Sequence, residues 1–587
     1  MKRAMTTLVL AGVILGGLAA RATDPAALKE RNETQAQRDA RMQWFRDAKL
    51  GMFIHWGTYA VAAGEWDGKE VGNCGEWIQC WRKVPAAEYA KLAAQFNPVK
   101  YNAEQWVRAA KDAGMKYVVI TTTHHEGFAM FKTAASPYNI VNATPYKRDP
   151  LKEFVAACRK HGMRLGFYYS QNLDWHHPGG GGGEWDPAHK GDPDAYVSKI
   201  VIPQVREILS NYGPVDVLWW DIPGGAINKP RADAIHKMVL GLQPKIIMNN
   251  RLGGGYQGDT ETPERTIPAN GFPGRDWETC MTMNETWGFK KNDHSWKSSS
   301  TLIRQLADCA SMGGNYLLNV GPTAEGEIPV PSLERMTAIG KWMKVNGAAV
   351  YGTSANPFPR KPAWGRVTQK GEMLYLFVFD LPANRRLVLP GLKNKIKGAW
   401  LLADSAKAQL AVASGETAAV TVPEGAALDP YATVVAVQLD GKPEVDPAPM
   451  TVIAQGADGL LALKAEDVVI RGETAKLEND HIGFWTNAGD SVAWTCSITK
   501  PGEYKVVIEY ASETKSAGAG FEIAVGDAKV SDKTVSTGSW QKFSTATVGT
   551  VKIGKAGKTT VSVRALSKPG DGVMNLRSVT LKPVAAM

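Results

Sequence analysis

With 587 residues and a formal net charge of +10, the chain is too long for a single hydrophobic core, and a prior of about 150 residues per domain suggests three or four units. Its Lys and Arg are spread without a dense run, which argues against a nucleic-acid partner and reads mainly as solubility, although the surplus would suit an anionic glycan. Six cysteines in so long a chain exclude a disulfide scaffold, although an oxidising compartment would permit Cys74 to pair with Cys80, and no zinc-type Cys or His spacing appears.

The chain starts with Lys2 and Arg3, an apolar stretch from Leu8 to Leu18, and Ala20-Arg21-Ala22. This is the charged, apolar and small-x-small order of an export signal. It predicts a signal peptide over 1–22, a mature chain from near Thr23 and a secreted or periplasmic location. The apolar run is shorter than the ~20 residues of a spanning helix, so no stable membrane anchor is expected.

From about Trp44 to Asn346, short apolar runs alternate with segments of helical periodicity, the pattern of a parallel sheet or barrel. Strands are predicted at Leu50–His55, Tyr117–Thr123, Leu165–Tyr169, Val215–Asp221, Ile246–Asn250 and Tyr316–Val320. Helices are predicted at Ala103–Ala113, Pro150–His161, Tyr196–Ser210 and Leu302–Met312. The strands end in His55-Trp56, His124-His125, Tyr169-Ser170, Asp221 and Asn249-Asn250-Arg251, so polar side chains gather at their carboxyl ends. In a TIM-type (β/α)8 barrel that face carries the active site. The barrel is assigned to 23–346. Five glycines, Gly179–Gly183, follow Asp174-Trp175-His176-His177 and predict a flexible loop placed to fold over a substrate.

Beyond about Val350 the helical pattern fades, and Met373–Phe379 and Thr433–Val437 predict a β-sandwich over 347–445 that supports the barrel. Residues Asp440–Pro449 read as a linker, and 450–587 again alternates short strands with turns.

Asp221 follows Val-Asp-Val-Leu-Trp-Trp and precedes Ile222-Pro223-Gly224-Gly225, so its carboxylate should leave the sheet among the loops, where it can attack an anomeric carbon. A helix-capping or loop-bonding Asp is the alternative. Retaining glycoside hydrolysis needs a second, protonated carboxyl about 5–5.5 Å away. Glu278, between aromatic and apolar neighbours that would raise its pKa, is the candidate, with Glu261, Glu264 and Glu285 as rivals in the same region. His55, His124 and His125, with Asp174, His176 and His177, are also raw material for a metallohydrolase, but neutral imidazoles serve equally as partners for sugar hydroxyls. Trp77, Tyr168 and Trp219 offer apolar faces to a sugar, or simply pack the barrel.

The series Trp44-Phe45, Lys49 to Gly57, Thr123-His124-His125-Glu126-Gly127-Phe128, Val217 to Asp221, Asn249-Asn250-Arg251, Trp277-Glu278-Thr279-Cys280 with Trp287-Gly288, and Gly313 to Pro322 resembles glycoside hydrolase family 29, the α-L-fucosidases. The resemblance implies a retaining exo-α-L-fucosidase with Asp221 as nucleophile and Glu278 as acid/base. It implies a fucose pocket of His55, Glu76, Trp77, His124, His125, Tyr168, Trp219 and Arg251, without metal or organic cofactor. The family usually has Lys-His-His-Asp-Gly-Phe where this chain has Thr123 and Glu126 beside the His pair, a departure that touches the bonding behind the pocket. The expected partner is a fucosylated oligosaccharide or polysaccharide, sulfated fucan among the candidates. The segment from about Ala465 to Pro583 resembles carbohydrate-binding modules, with Trp485, Trp494 and Trp540 as either a ligand platform or core. The competing reading is a glycan-binding protein on a decayed hydrolase barrel.

Overall fold

The computed structural model describes residues 25–268, 271–415, 418–446, 452–456, 458–471, 474–478 and 480–584. The expected signal peptide over 1–22 lies outside the described residues, as does the end of the 440–449 linker. Among the described residues, no helix is long and apolar enough to cross a membrane.

Eight parallel strands form the first sheet: β1 Leu50–Ile54, β2 Tyr117–Thr123, β3 Arg164–Tyr169, β4 Val217–Trp220, β5 Ile247–Met248, β6 Thr260–Glu261, β7 Asp276–Thr282 and β8 Asn315–Val320. Their order is β5-β4-β3-β2-β1-β8-β7-β6, and a parallel bridge between Asn249 and Thr260 closes the ring. Most strands are buried on both faces, which is why they read as unbroken apolar runs. The helices begin on caps the sequence supplies. Asn102 accepts from the Gln105 N–H ahead of Ala103–Asp112, and Asp149 does the same for Lys152 with Pro150 at the first helical position. Across the amino-terminal end of the barrel, the helix Gln35–Ala48 is tied by Arg38 and Arg41 to Asp259 and by Arg46 to Asp276.

Because successive strand residues face opposite ways, each strand divides its side chains between two cores. Leu50, Met52 and Ile54 pack outward with Val118, Ile120, Phe167 and Leu218 under the helices. Phe53, Tyr117, Val119, Tyr168, Trp219, Cys280 and Leu317 fill the interior. Gly51 is required there, since a Cβ on it would stand 2.5 Å from the Tyr117 ring.

The next unit is a sandwich of a four-stranded and a three-stranded sheet. Its strand Met373–Val378 alternates strictly: Leu374, Leu376 and Val378 enter the sandwich core, whereas Tyr375 and Phe377 join the barrel core. Arg304 and the Trp342 indole donate across this junction to Tyr431, Phe379 and Ala432 carbonyls, so the sandwich braces the barrel. The last unit packs two six-stranded sheets around a core that includes Trp485 and Trp494, both buried, while Trp540 is half-exposed. All six cysteines are free thiols, Cys74 and Cys80 included.

Candidate active site

At the carboxyl end of the barrel, Asp221 sits one residue past β4. Its Oδ2 accepts from the Tyr168 hydroxyl at 2.7 Å, and its Oδ1 accepts from Arg251 Nη1 at 2.8 Å and from the Ile222 N–H at 2.9 Å. Ile222 has φ +38°, a strained conformation for a β-branched residue, placed where the chain must turn sharply to present the carboxylate. Tyr168 and Tyr169 part company by strand parity: Tyr168 points inward to Asp221, and Tyr169 points outward to Gln204.

The three histidines present the same nitrogen to the pocket. His55 Nδ1 lies 2.7 Å from Asn319 Oδ1, His124 Nδ1 3.3 Å from Glu126, and His125 Nδ1 2.7 Å from Ser170 Oγ. The Ser170 hydroxyl itself donates to the Leu173 carbonyl, so it receives the His125 proton. Each Nδ1 is thus placed to donate, which leaves each Nε2 as the acceptor, that of His125 lying 3.5 Å from Asp221 Oδ2. Burial pushes His55 down to about 3 and His125 well below its ordinary value, so both stay neutral acceptors for hydroxyl groups. The replaced residues beside the pair are accommodated: Glu126 holds His124, and Thr123 is buried against Gln204.

The pocket is lined by Phe53, His55, Trp77, His124, His125, Trp219, Asp221, Ile222, Glu264, Cys280 and Trp287. Arg251 sits against its wall, with its guanidinium 4.9 Å from the Trp219 ring centre. Glu76 is set back from the lining. Its Oε2 accepts from Thr286 Oγ1 and the N–H groups of Trp287 and Gly288, fixing the loop that carries Trp287, while its buried Oε1 has no hydrogen-bond donor among the described residues. His124, His125 and Asp221 bring one donor atom each within 4.8 Å of one another. A metal is disfavoured there because Arg251 already supplies the positive charge beside Asp221.

Glu278 stands elsewhere than the sequence expectation. It lies inside strand β7, two residues below Cys280, and is absent from the pocket lining. Both oxygens are occupied: Oε1 accepts from the Trp219 indole at 3.0 Å and Oε2 from the Tyr117 hydroxyl at 2.6 Å. Both oxygens of this buried carboxyl are thus engaged by neighbouring donors beneath the pocket floor. Glu264 does line the mouth, with its side chain 42% exposed, and it accepts from Arg251 Nη1 at 3.1 Å. The other two rivals are engaged away from the pocket or exposed, Glu261 with Asn250 and Arg275, Glu285 at the surface. The glycine run is also not a flap. Gly181 bonds the Asn172 carbonyl, Gly179 the His189 carbonyl, and a Cβ on Gly180 or Gly183 would collide with Asp174 or His189. His176 and His177 are held by Asp174 outside the pocket.

Burial drives the Glu278 carboxyl up to about 7, against the opposing pull of the Tyr117 and Trp219 hydrogen bonds. The folded chain therefore holds this proton more tightly than the unfolded chain, and the associated stability is lost as pH rises through that value. Between about pH 5 and pH 8, Glu278→Gln should flatten the decline of unfolding free energy by up to about 3 kcal/mol relative to wild type. Because glutamine still accepts from Trp219, hydrolytic activity should persist. A proton donor would not survive that change, so the paired denaturation and activity profiles decide its role.

The family pattern described as Alpha-L-fucosidase matches residues 18–348, more than half of the chain. The chain belongs to the alpha-L-fucosidase family. It is a glycoside hydrolase of that family, and the eight-stranded barrel followed by β-rich units is the architecture of solved fucosidases. An alpha-L-fucosidase from Vibrio sp. strain EJY3 superposes with a TM-score of 0.75 at 27% identity, covering 94% of this chain and 98% of that one. Isoenzyme 1 from Paenibacillus thiaminolyticus gives 0.63 at 36% identity, covering 69% and 99%. The plasma alpha-L-fucosidase of Homo sapiens is 32% identical over 370 residues, 59% of this chain and 78% of the human protein. A fucosidase from Bacteroides thetaiotaomicron, solved as a trapped covalent intermediate with 2-fluoro-fucosyl fluoride, gives 0.62 at 33% identity, covering 68% and 96%. Residues 469–586 match a separate domain of unknown function, DUF5077.

Proposed function

We propose that this fucosidase removes terminal α-L-fucosyl residues with retention, by double displacement, using Asp221 as nucleophile and Glu264 as acid/base. The carrying observation is that Arg251 Nη1 bonds both Asp221 Oδ1 and Glu264 Oε2, at 2.8 and 3.1 Å. The two oxygens are then no more than about 6 Å apart, in keeping with the ~5–5.5 Å spacing of retaining rather than inverting enzymes. Glu278, the acid/base suggested by sequence, is replaced in this role because it lies buried under Trp219.

Asp221 attacks the anomeric carbon while Glu264 protonates the departing oxygen, and a fucosyl ester of Asp221 forms. Glu264, now ionised, takes a proton from the incoming water, which displaces Asp221 from the same carbon. The covalent intermediate trapped in the Bacteroides relative supports this course. The Nε2 atoms of His55, His124 and His125 accept ring hydroxyls, and Glu76 acts from behind by fixing the loop that carries Trp287. Phe53, Trp77 and Trp287 give apolar faces for the sugar's C–H groups and methyl. Arg251, the cation against the pocket wall, is already paired with both Asp221 and Glu264, so the pocket favours a neutral fucosyl unit over a sulfated one. Proton NMR of aryl α-L-fucoside hydrolysis should show α-fucose first and β-fucose only by mutarotation. Initial release of β-fucose would refute retention, and no turnover by folded protein would return the glycan-binding reading.

A further inference from the structure

A second cavity, of about 270 Å³, opens on the C-terminal sandwich where the strands Lys476–Glu478 and His481–Gly483 meet the loops near 540 and 572. Its apolar walls are Phe484, Trp485 and Trp540, and Glu478, Asp571 and Asn575 bring polar groups to it. Three features set it apart from ordinary surface. Phe484 is 52% exposed and carries φ +51°, a combination of exposure and left-handed backbone that an aromatic residue rarely adopts without use. One face of its ring is covered by the Lys476 ammonium, 3.9 Å from the centre.

Trp540 is held rather than loose. The Asn575 amide donates to its carbonyl at 2.8 Å, and Gly572 lies so close beneath that a Cβ would stand 3.0 Å from the indole. Trp485, 1% exposed, makes the floor of the cavity, and its buried indole N–H has no acceptor among the described residues.

We infer that this cavity binds one neutral sugar unit of a glycan, at a site separate from the barrel pocket. Aromatic faces flanked by carboxylate and amide groups match a sugar ring, which shows C–H patches on its faces and hydroxyl donors at its edge. The volume lies just under the ~300–1,000 Å³ of pockets for drug-sized ligands, which suits a single ring rather than an extended segment. Glu478 and Asp571 are the charged groups of the lining, and the neighbouring cation, Lys476, is stacked on the Phe484 ring, so the two carboxylates disfavour sulfate and uronate groups. The domain's unknown-function family supplies no ligand. Binding there would hold the barrel near a polymeric substrate without adding a catalytic contact.

The test is affinity electrophoresis of the full chain through gels containing fucosylated xyloglucan, galactan or mannan, with sulfated fucan for comparison. At least one neutral gel should retard the wild type. Phe484→Ala and Trp540→Ala should each weaken that retardation by about tenfold or more, with unchanged melting temperature and unchanged hydrolysis of a small aryl α-L-fucoside. Gly572→Ala, which crowds Trp540 without removing an aromatic, should weaken it as well. Retardation that persists in all three variants, occurs only in sulfated fucan, or is missing from every neutral gel would overturn the inference. Aryl-fucoside hydrolysis reports separately on the barrel, so failure of one site is not mistaken for failure of the other.

Discussion

Asp221→Gly should lower turnover of an aryl α-L-fucoside by about 10⁴-fold or more, the scale seen when a covalent nucleophile is removed. The loss follows from geometry. Asp221 is the carboxylate toward which Tyr168, Arg251 and the Ile222 N–H converge, and removing it leaves donors with nothing to aim at the anomeric carbon. The glycine also opens a space at the floor of the pocket. Azide entering there would attack from the face opposite the aryl group, so the product of rescue should be β-L-fucosyl azide, with inverted configuration. Unchanged turnover in the variant, or rescue that yields the α-azide, would remove Asp221 from the nucleophile's role. The measurement is initial rate with and without azide, followed by NMR of the product.

Glu264→Ala should show the complementary signature. Loss of a positioned general acid and base costs about 10²–10⁴-fold, most with a poor leaving group and least with an activated aryl one. With an activated fucoside the first displacement should still proceed, and the fucosyl ester on Asp221 should wait for a nucleophile that needs no base. Azide then attacks the ester, a second inversion, and gives α-L-fucosyl azide. The same experiment on Glu278→Ala should give neither azide. That change would empty the volume under Trp219 and strand its indole N–H, so the expected loss is of stability and of Trp219 placement. If azide rescued Glu278→Ala and left Glu264→Ala untouched, the two assignments would have to be exchanged.

Both predictions turn on a contrast that no local stretch of the chain contains. Glu261, Glu264, Glu278 and Glu285 lie within 25 residues, all near aromatic or apolar neighbours. Trp277-Glu278-Thr279-Cys280 is the more memorable motif, and its carboxyl is raised, but by burial in the barrel interior rather than by its sequence neighbour Trp277, which packs on the other face of the strand. What separates the candidates is depth. Glu278 faces the barrel interior one layer below Cys280, where Tyr117 and Trp219 hold both of its oxygens. Glu264 comes from the irregular stretch between β6 and β7 and is brought to the mouth by Arg251, thirteen residues earlier.

The sequence by itself determined the barrel, the gathering of polar residues at its carboxyl end and the position of Asp221. Parallel strands buried on both faces must be almost wholly apolar, so their ends are marked wherever a His, Asp or Arg interrupts the run. Strands that break this rule stayed hidden: β6 has only two residues, and β7, Asp-Trp-Glu-Thr-Cys-Met-Thr, puts polar side chains inside the barrel where neighbouring strands satisfy them, whereas β5, predicted at 246–250, is present but only two residues long. Tyr168 was implied by the family resemblance, but only the tertiary structure gives the reason that it and not Tyr169 meets Asp221, because side-chain direction depends on where β3 enters the ring. It alone showed the five-glycine loop packed down on Asp174 and His189, since close backbone approach and flexibility call for the same residue. And it alone divided the tryptophans of the last domain, burying Trp485 and Trp494 while leaving Trp540 beside a cavity, because burial is a property of the assembled sheets that residue type does not fix.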